Sequence, residues 1–321
     1  MNDIGNTWGG SGIGFTGFGR YFPRNRVPTA ETGGAQNAVD RAVIGRIDVR
    51  SRHVHAEDET VAAMAVRAAR EALERARVAA EEVDLLVLSS WSQRMLVPEL
   101  GPQVAHGLGA RRALAFDVCG ACTGFIHGTQ LAAALLLADE GLRTAVVVCS
   151  EEFSRRVRPG SKGELIVGDA AGAAVLGRRV PSPRGLIDSL MLSDGGSCDA
   201  VTVLPPRGWI KSKPHLVQLG IDSHVELCTR LLARNGLTMR DVDWFVPHPG
   251  TGPMHEGIRH GLDIPEEKFV TNFEVRANTG SASVPTVLSE CTDEGRFRPG
   301  DLVLASAVGS GWFSGGLLVR L

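Results

Sequence analysis

From Glu57 to Ala79 apolar and charged positions recur at helical spacing, and the chain then passes through Glu81-Glu82 into Val83-Asp84-Leu85-Leu86-Val87-Leu88. The first stretch predicts a helix; the β-branched and aliphatic run predicts a short buried strand. The same phrase returns nearly half a chain later. Val225 to Asn235 reads as a helix ended by Gly236, and Val242-Asp243-Trp244-Phe245-Val246 as a strand entering a loop. Leu73 and Arg75 stand where Leu232 and Arg234 stand in the second copy. Ala145-Val146-Val147-Val148 corresponds loosely to Leu302-Val303-Leu304-Ala305, and each half closes on an apolar strand, Ala173 to Leu176 and Leu317 to Val319. These matches predict a duplicated α/β unit with its boundary near Gly177 to Pro183, giving halves 1–178 and 179–321. Chance likeness between two common helix-strand units is the competing account. Continuous aliphatic strands alternating with helices predict sheets covered on both faces.

Composition narrows the partners more than the fold. Lysine and arginine number 34 against 36 acidic residues, a formal net charge of −2, so no overall field attracts nucleic acid or an anionic membrane. A hydrophobic share of 43% with 22% charged residues belongs to a folded globule, and 321 residues suffice for a large core. The longest uninterrupted apolar run, Leu131 to Ala138, is short of the ~20 residues that cross a bilayer, and the start of the chain lacks a basic segment followed by an apolar one. The expectation is a cytoplasmic protein. Cys119, Cys122, Cys149, Cys198, Cys228 and Cys291 match neither a disulfide framework nor a zinc pattern, and read as reduced thiols with no metal.

Three segments carry candidate chemistry. Phe116-Asp117-Val118-Cys119-Gly120-Ala121-Cys122-Thr123-Gly124-Phe125 predicts a strand end, a turn of small residues and a long apolar helix. A thiol at the helix start faces unpaired N–H groups and the positive end of the dipole, which favour the nucleophilic thiolate. A buried inert cysteine is the plainer reading of Cys122, and Cys119 is its competitor, although it falls earlier, in the strand-to-turn segment. His248 directly follows a strand, in a loop stiffened by Pro247, Pro249, Gly250 and Gly252, where catalytic side chains are often presented. Asn278 precedes a run of small residues opening another helix, and could equally be an N-cap.

Together these segments resemble the thiolase superfamily, most nearly the β-ketoacyl-acyl-carrier-protein synthase III group. That group carries a cysteine in A-C-x-G-F, a histidine in V-P-H and an asparagine in G-N-T-x-x-A-S. Here Ala121-Cys122-Thr123-Gly124-Phe125, Val246-Pro247-His248 and Ala277-Asn278-Thr279-Gly280-Ser281-Ala282-Ser283 follow in the same order. Gly168-Asp169-Ala170-Ala171-Gly172, Ser193-Asp194-Gly195 and the glycine-rich end Gly309 to Gly315 add secondary matches, so the resemblance runs from about Gly12 to Leu321.

The resemblance implies a five-layered αβαβα fold of two similar halves, a homodimer, and decarboxylative Claisen condensation in polyketide or fatty acid synthesis. Cys122 would hold the acyl group, its oxyanion facing the backbone N–H groups of Cys122 and Ser310. His248 and Asn278 would donate hydrogen bonds to the thioester oxygen of a malonyl-type extender. No metal or cofactor is implied beyond substrate thioesters of coenzyme A or a carrier protein's phosphopantetheine, and acyl carrier protein is the expected partner. An acyltransferase that moves an acyl group to a hydroxyl or amine is the alternative.

Departures from the group matter too. The tryptophan that helps hold the coenzyme A adenine is replaced by Ala42, leaving Arg46 in that segment and Thr251 after the histidine as the cofactor-arm positions. Pro249-Gly250-Thr251 replaces Q-A-N and looks like the H-P-G of plant-type polyketide synthases. Ser310 stands at the oxyanion glycine, while Val308 and Val97 replace bulkier residues expected at the acyl pocket. Basic clusters at Arg155 to Arg158 and Lys211 to Lys213 are candidate docking points for an acidic carrier.

Overall fold

A computed structural model of the chain describes residues 6–37, 47–93, 95, 97–205 and 208–321. Two five-stranded sheets dominate it. The first, in the order β2-β8-β7-β5-β6, is built from β2 (Gly14–Tyr21), β5 (Leu85–Ser89), β6 (Leu114–Val118), β7 (Thr144–Glu151) and β8 (Ala170–Gly177). The second, in the order β1-β9-β14-β13-β12, is built from β1 (Asn6–Thr7), β9 (Gly185–Ser193), β12 (Trp244–Pro247), β13 (Leu302–Gly309) and β14 (Phe313–Arg320). Two small antiparallel pairs join β3 (Asn25–Pro28) to β4 (Ser51–Val54) and β10 (Val201–Val203) to β11 (Ile210–Ser212).

Four strands of each sheet, β2-β8-β7-β5 and β9-β14-β13-β12, repeat one topology. β5 runs parallel to β7 as β12 runs parallel to β13, and β8 and β14 each pair antiparallel with the strand before them. This is the correspondence that the Val-Asp phrases and the paired closing strands predict. The first sheet ends at Gly177 and β9 begins at Gly185. One element crosses that division: β1, from the chain start, pairs with β9 at Asn6–Ser189 and Thr7–Asp188.

Helices fill the remaining layers. Val61–Ala76 and Gly101–Leu108 cover the outer face of the first sheet, Leu216–Arg234 and Gly252–Gly261 that of the second. Thr60 starts the first of these, its hydroxyl accepting the Ala63 N–H, and the helix turns its alanines Ala65, Ala68, Ala69 and Ala72 to the sheet. Contact is close enough that β2 needs glycine: a Cβ on Gly19 would stand 2.2 Å from the Ala68 carbonyl oxygen.

Gly124–Ala138 and Ser283–Asp293 form the middle layer between the sheets, packed into a core with Phe15, Leu85, Val147, Val303 and Leu317. Being buried from two sides, Gly124–Ala138 is apolar nearly all round. The 18 residues Ala121–Ala138 have a mean hydropathy of 1.4 and would be long and apolar enough to cross a membrane, a longer run than Leu131 to Ala138 indicates; in the fold this segment is the central core helix. The outcome is the five-layered αβαβα thiolase fold.

Candidate active site

Each of the three chemical segments leaves the end of a strand. After β6, Cys119-Gly120 leads into a 3-10 turn, Ala121–Thr123, fixed by the Thr123 N–H and hydroxyl, which donate to the Gly120 carbonyl at 3.0 and 2.6 Å. Ala121 takes a left-handed φ of 45°, which sets Cys122 immediately before the central helix. The end of β13 packs onto this turn. A Cβ on Gly309 would stand 2.9 Å from the Cys122 nitrogen and 3.1 Å from the Gly120 oxygen, so only glycine lets the Ser310 segment lie against the Cys122 amide.

His248 prolongs β12 by one residue, its N–H donating to the Ser306 carbonyl at 2.6 Å, and its Nδ1 lies 2.8 Å from the Ser283 hydroxyl. Nε2 has no partner among the described residues, and the side chain lines the cavity described below. Burial, reinforced by the neighbouring His255, pushes the imidazole down to about 3, so the ring is neutral at physiological pH. Asn278 is held by its N–H to the Ile166 carbonyl at 2.8 Å, while its Oδ1 accepts the Gly280 N–H at 2.9 Å. The turn-capping function therefore uses only the amide oxygen. Nδ2 has no partner among the described residues, and the helix Ser283–Asp293 is preceded by Ala282 with no side-chain cap.

Cys122, His248 and Asn278 line one cavity of about 1220 Å³. Trp91, Phe153, Val157 and Ile166 make one apolar wall; Val217 and Met254 make another. Val308, Ser310 and Thr251 line it as well, the Thr251 hydroxyl being buried without a partner. Cys119 also reaches this cavity, but is exposed. Val97 does not line its own chain's cavity. It is 85% exposed on the loop beside β6, with Met95 and Leu114 also exposed. Arg46 and Ala42 lie outside the described residues. Among the described residues no cluster of three His, Cys, Asp or Glu side chains is placed to hold a metal.

The resting thiol differs from the expectation of a thiolate. Burial, with a smaller contribution from the charge of Glu151, pushes the Cys122 thiol up to about 12. Donors at the helix start are outweighed by lost solvation and a buried carboxylate, so the resting sulfur carries a proton that any nucleophilic attack would have to shed. Glu151 escapes the sequence reading, since an acidic pair after an aliphatic strand reads as a solvated strand end. At the end of β7 it is fully buried, accepting from the Ser281 hydroxyl at 2.5 Å, the Ser92 hydroxyl and N–H at 2.6 and 3.0 Å, and the Trp91 N–H at 3.3 Å. It joins the loop after β5 to the Asn278 loop.

Glu151 gives a stability prediction. Burial raises its carboxyl from the ordinary 4.5 to about 7, so the native state holds this proton more tightly than the unfolded chain. That contribution is complete below pH 4.5 and is lost as pH rises through 7, a penalty of up to ~3 kcal/mol at ~1.4 kcal/mol per unit. Glutamine can keep the contacts, its oxygen facing the Ser92 donors and its NH₂ the Ser281 hydroxyl. Glu151→Gln should therefore gain in melting temperature relative to wild type as pH rises from 5 to 8. A difference in Tm that is the same at both pH values would refute the assignment.

Comparison with known proteins identifies the family. Residues 116–195 match the 3-oxoacyl-[acyl-carrier-protein] synthase III domain, and residues 232–321 match its C-terminal domain. The chain is 35% identical over 319 residues to the β-ketoacyl-[acyl-carrier-protein] synthase III of Rhodospirillum rubrum, covering 95% of this chain and 98% of that one. Among solved structures, the 3-oxoacyl-[acyl-carrier-protein] synthase III of Aquifex aeolicus superposes with a TM-score of 0.90 at 28% identity, covering 97% of this chain and all of that one. The priming β-ketosynthase of the R1128 polyketide pathway superposes with a TM-score of 0.89 at 29% identity, over 96% of each chain. Fold and site define a thiolase-fold acyl-transferring enzyme. The chain belongs to the 3-oxoacyl-[acyl-carrier-protein] synthase III family and is of the ketosynthase III type.

Proposed function

We propose that the protein condenses a Cys122-bound acyl group with a malonyl-type thioester, releasing carbon dioxide, in fatty acid or polyketide synthesis. One observation carries this reading: Cys122, His248 and Asn278 meet in one cavity, with His248 Nδ1 and Asn278 Oδ1 engaged by neighbours and Nε2 and Nδ2 left without partners. In the first half-reaction the Cys122 proton passes to His248 Nε2 as sulfur attacks the acyl thioester. The oxyanion faces the backbone N–H groups of Cys122 and Ser310, and the departing thiol takes the proton back. In the second, the extender's carboxylate leaves as carbon dioxide. Protonated Nε2 and the Asn278 amide hold the enolate oxygen while its carbon attacks the acyl group, and released Cys122 sulfur takes the Nε2 proton. One proton enters from solvent per cycle. Simple acyl transfer to a hydroxyl or amine would leave Asn278 without a task, which favours condensation. The chemistry needs no cofactor beyond the thioester substrates.

Arg158, Lys162 and Lys211 line the mouth and have no acidic partner among the described residues, whereas Arg155 pairs with Glu152 and Lys213 with Asp199. The first three are the better docking points for an acidic carrier in the cytoplasm. β6 is an open sheet edge that exposes Leu114, and the loop packed on its Asp117 end exposes Met95 and Val97. Pairing of two β6 edges would bury that apolar margin in a homodimer and carry Val97 toward the partner's cavity; sedimentation of the native protein tests this.

Intact mass of the protein after incubation with acyl thioesters, with and without malonyl-carrier protein, tests the function. The expected results are a Cys122 acyl adduct, its discharge only with the malonyl donor, and better reaction of chains longer than acetyl. Each methylene placed against the Trp91 and Phe153 wall contributes about 0.8 kcal/mol, roughly fourfold in kcat/KM. Loss of adenine stacking at Ala42 and the change to Thr251 favour carrier-bound donors over coenzyme A esters. A clear preference for acetyl-coenzyme A would refute the specificity assigned here, and an adduct that discharges to an alcohol or amine without carbon dioxide release would refute condensation.

A further inference from the structure

Among the described residues β10 and β11 pair only with each other, yet this ribbon lines the cavity with Val201, Val203 and Ile210. A lone two-stranded ribbon is marginal unless something packs on it. Two apolar supports are present. Ile210 packs on the cluster that holds Trp91, Phe153 and Val157, the wall along which the acyl chain lies in the condensing reading. Ala200, directly before β10, joins Val308 and Trp312 in a second cluster at the loop after β13.

A third tie is polar, and its direction is fixed. The Ser310 hydroxyl lies 2.5 Å from the Val201 carbonyl oxygen, and a carbonyl can only accept, so the hydroxyl donates. Glycine, the residue expected at this position, has no hydroxyl to give. The loop that carries Ser310 needs such ties. Gly311 and Trp312 both take left-handed φ, 84° and 50°, and for tryptophan that conformation persists only where surrounding contacts enforce it. Trp312 is held by its indole N–H, which donates to the Ser223 hydroxyl at 3.0 Å, and by its carbonyl, which accepts the Asp194 N–H at 2.9 Å. Gly309 is pressed against the Cys122 turn. Ser310, between them, is tied to β10.

We infer that Ser310 is a positioning residue whose hydroxyl ties the oxyanion-binding backbone to β10, so that an acyl chain filling the space beneath the β10–β11 ribbon holds the Ser310 N–H in place while Cys122 attacks. This rests on the condensing reading, which gives that N–H to the oxyanion, and adds which part of the substrate sets its position. The path is short. A chain lying against Trp91 and Phe153 meets Ile210 on the same cluster; the ribbon pairs Ile210 with Val203 and Ser212 with Val201; the Val201 carbonyl then meets the Ser310 hydroxyl. Acetyl has no methylene to lay along that path. Binding energy from the remote end of a longer chain is therefore realised at the reacting carbon, and appears in kcat and not in KM alone.

Single-turnover acylation of Cys122 by acetyl and octanoyl thioesters of one carrier, followed by intact mass, reads the maximal rate and the half-saturating concentration separately. The wild type should show the higher maximal rate with octanoyl. Ser310→Ala and Ser310→Gly should each lose roughly fivefold in the octanoyl rate, the net worth of one hydrogen bond, and so approach the acetyl rate. Tighter binding of octanoyl should persist in both, because the apolar walls are untouched. Ser310→Thr, which keeps the hydroxyl, should keep the wild-type ratio. Hydrogen exchange of the free protein reads the tie without substrate: amides of Val201–Val203 and Ile210–Ser212 should exchange faster in Ser310→Ala than in the wild type. An octanoyl-to-acetyl rate ratio in Ser310→Ala equal to that of the wild type overturns the proposal, and so does unchanged exchange in the ribbon. Failure of wild-type protein to form an acyl adduct with any thioester would instead sink the condensing reading, and the exchange of the free protein would still decide whether Ser310 holds the ribbon.

Discussion

Cys122→Ala should form no acyl adduct with any thioester, whereas Cys119→Ala should be acylated as the wild type is. The two thiols lie in one C-x-x-C segment and line the same cavity, so proximity to substrate does not separate them. Position in the turn does. Cys122 follows the left-handed Ala121, starts the central helix and has its own N–H against the Gly309 segment, where an oxyanion formed by attack of its sulfur would lie. Cys119 stands before that turn, at the end of β6, and is exposed. Simple alkylating agents are a poor guide here, because a thiol near 12 is almost wholly protonated at pH 7, and exposed Cys119 and Cys198 should react ahead of it. A thioester substrate is the discriminating reagent, since it brings its carbonyl to the sulfur while His248 Nε2 can receive the proton. Peptide mapping of the adduct checks the result: acyl mass on Cys119, or full turnover by Cys122→Ala, would remove Cys122 from the mechanism and the Ser310 oxyanion site with it.

The duplicated architecture is legible in the sequence because a repeated helix-strand phrase imposes the same hydrophobic period twice. Val83 to Leu88 and Val242 to Val246 lead into β5 and β12, which hold corresponding places beside β7 and β13, although β12 is the last strand of its sheet. Features without a period are not legible in that way. Asn6–Thr7 is too short for alternation to show, yet it adds a strand to the second sheet. Gly124–Ala138 is buried by both sheets and so has no polar stripe to mark its faces. At the site, the identity of Cys122, His248 and Asn278 is readable because each follows a strand in a motif of small or rigid residues. The state of the Cys122 thiol is not. Local reasoning sees the helix start, while the opposing influences are burial and, to a smaller degree, Glu151 on a different strand, both supplied only by folding. Val97 shows the converse: its place in an alignment says pocket, but in a single chain its side chain stands in solvent.

Asn278→Asp should keep Cys122 acylation and lose carbon dioxide release by ~10²-fold or more, the usual cost of removing one oxyanion donor. The substitution is matched to the geometry. Oδ1 of Asn278 accepts the Gly280 N–H at 2.9 Å, and an aspartate oxygen can accept the same hydrogen bond, so the turn that opens the Gly280–Ala282 segment is retained. What disappears is the Nδ2 donor, and a carboxylate oxygen takes its place facing the extender. A growing negative charge on the enolate then meets an acceptor where it needs a hydrogen, with only His248 Nε2 left to hold it. Acylation does not use that donor, because its oxyanion is stabilised by the backbone at Cys122 and Ser310. The two half-reactions therefore separate, and each has its own measurement: acyl-enzyme by intact mass, and carbon dioxide from a malonyl thioester. Equal loss in both would mean that the Asn278 loop had moved the whole site, which an unchanged melting temperature would argue against. Decarboxylation at the wild-type rate with acylation intact would mean that Asn278 serves the turn alone, and that the enolate is held by some other group.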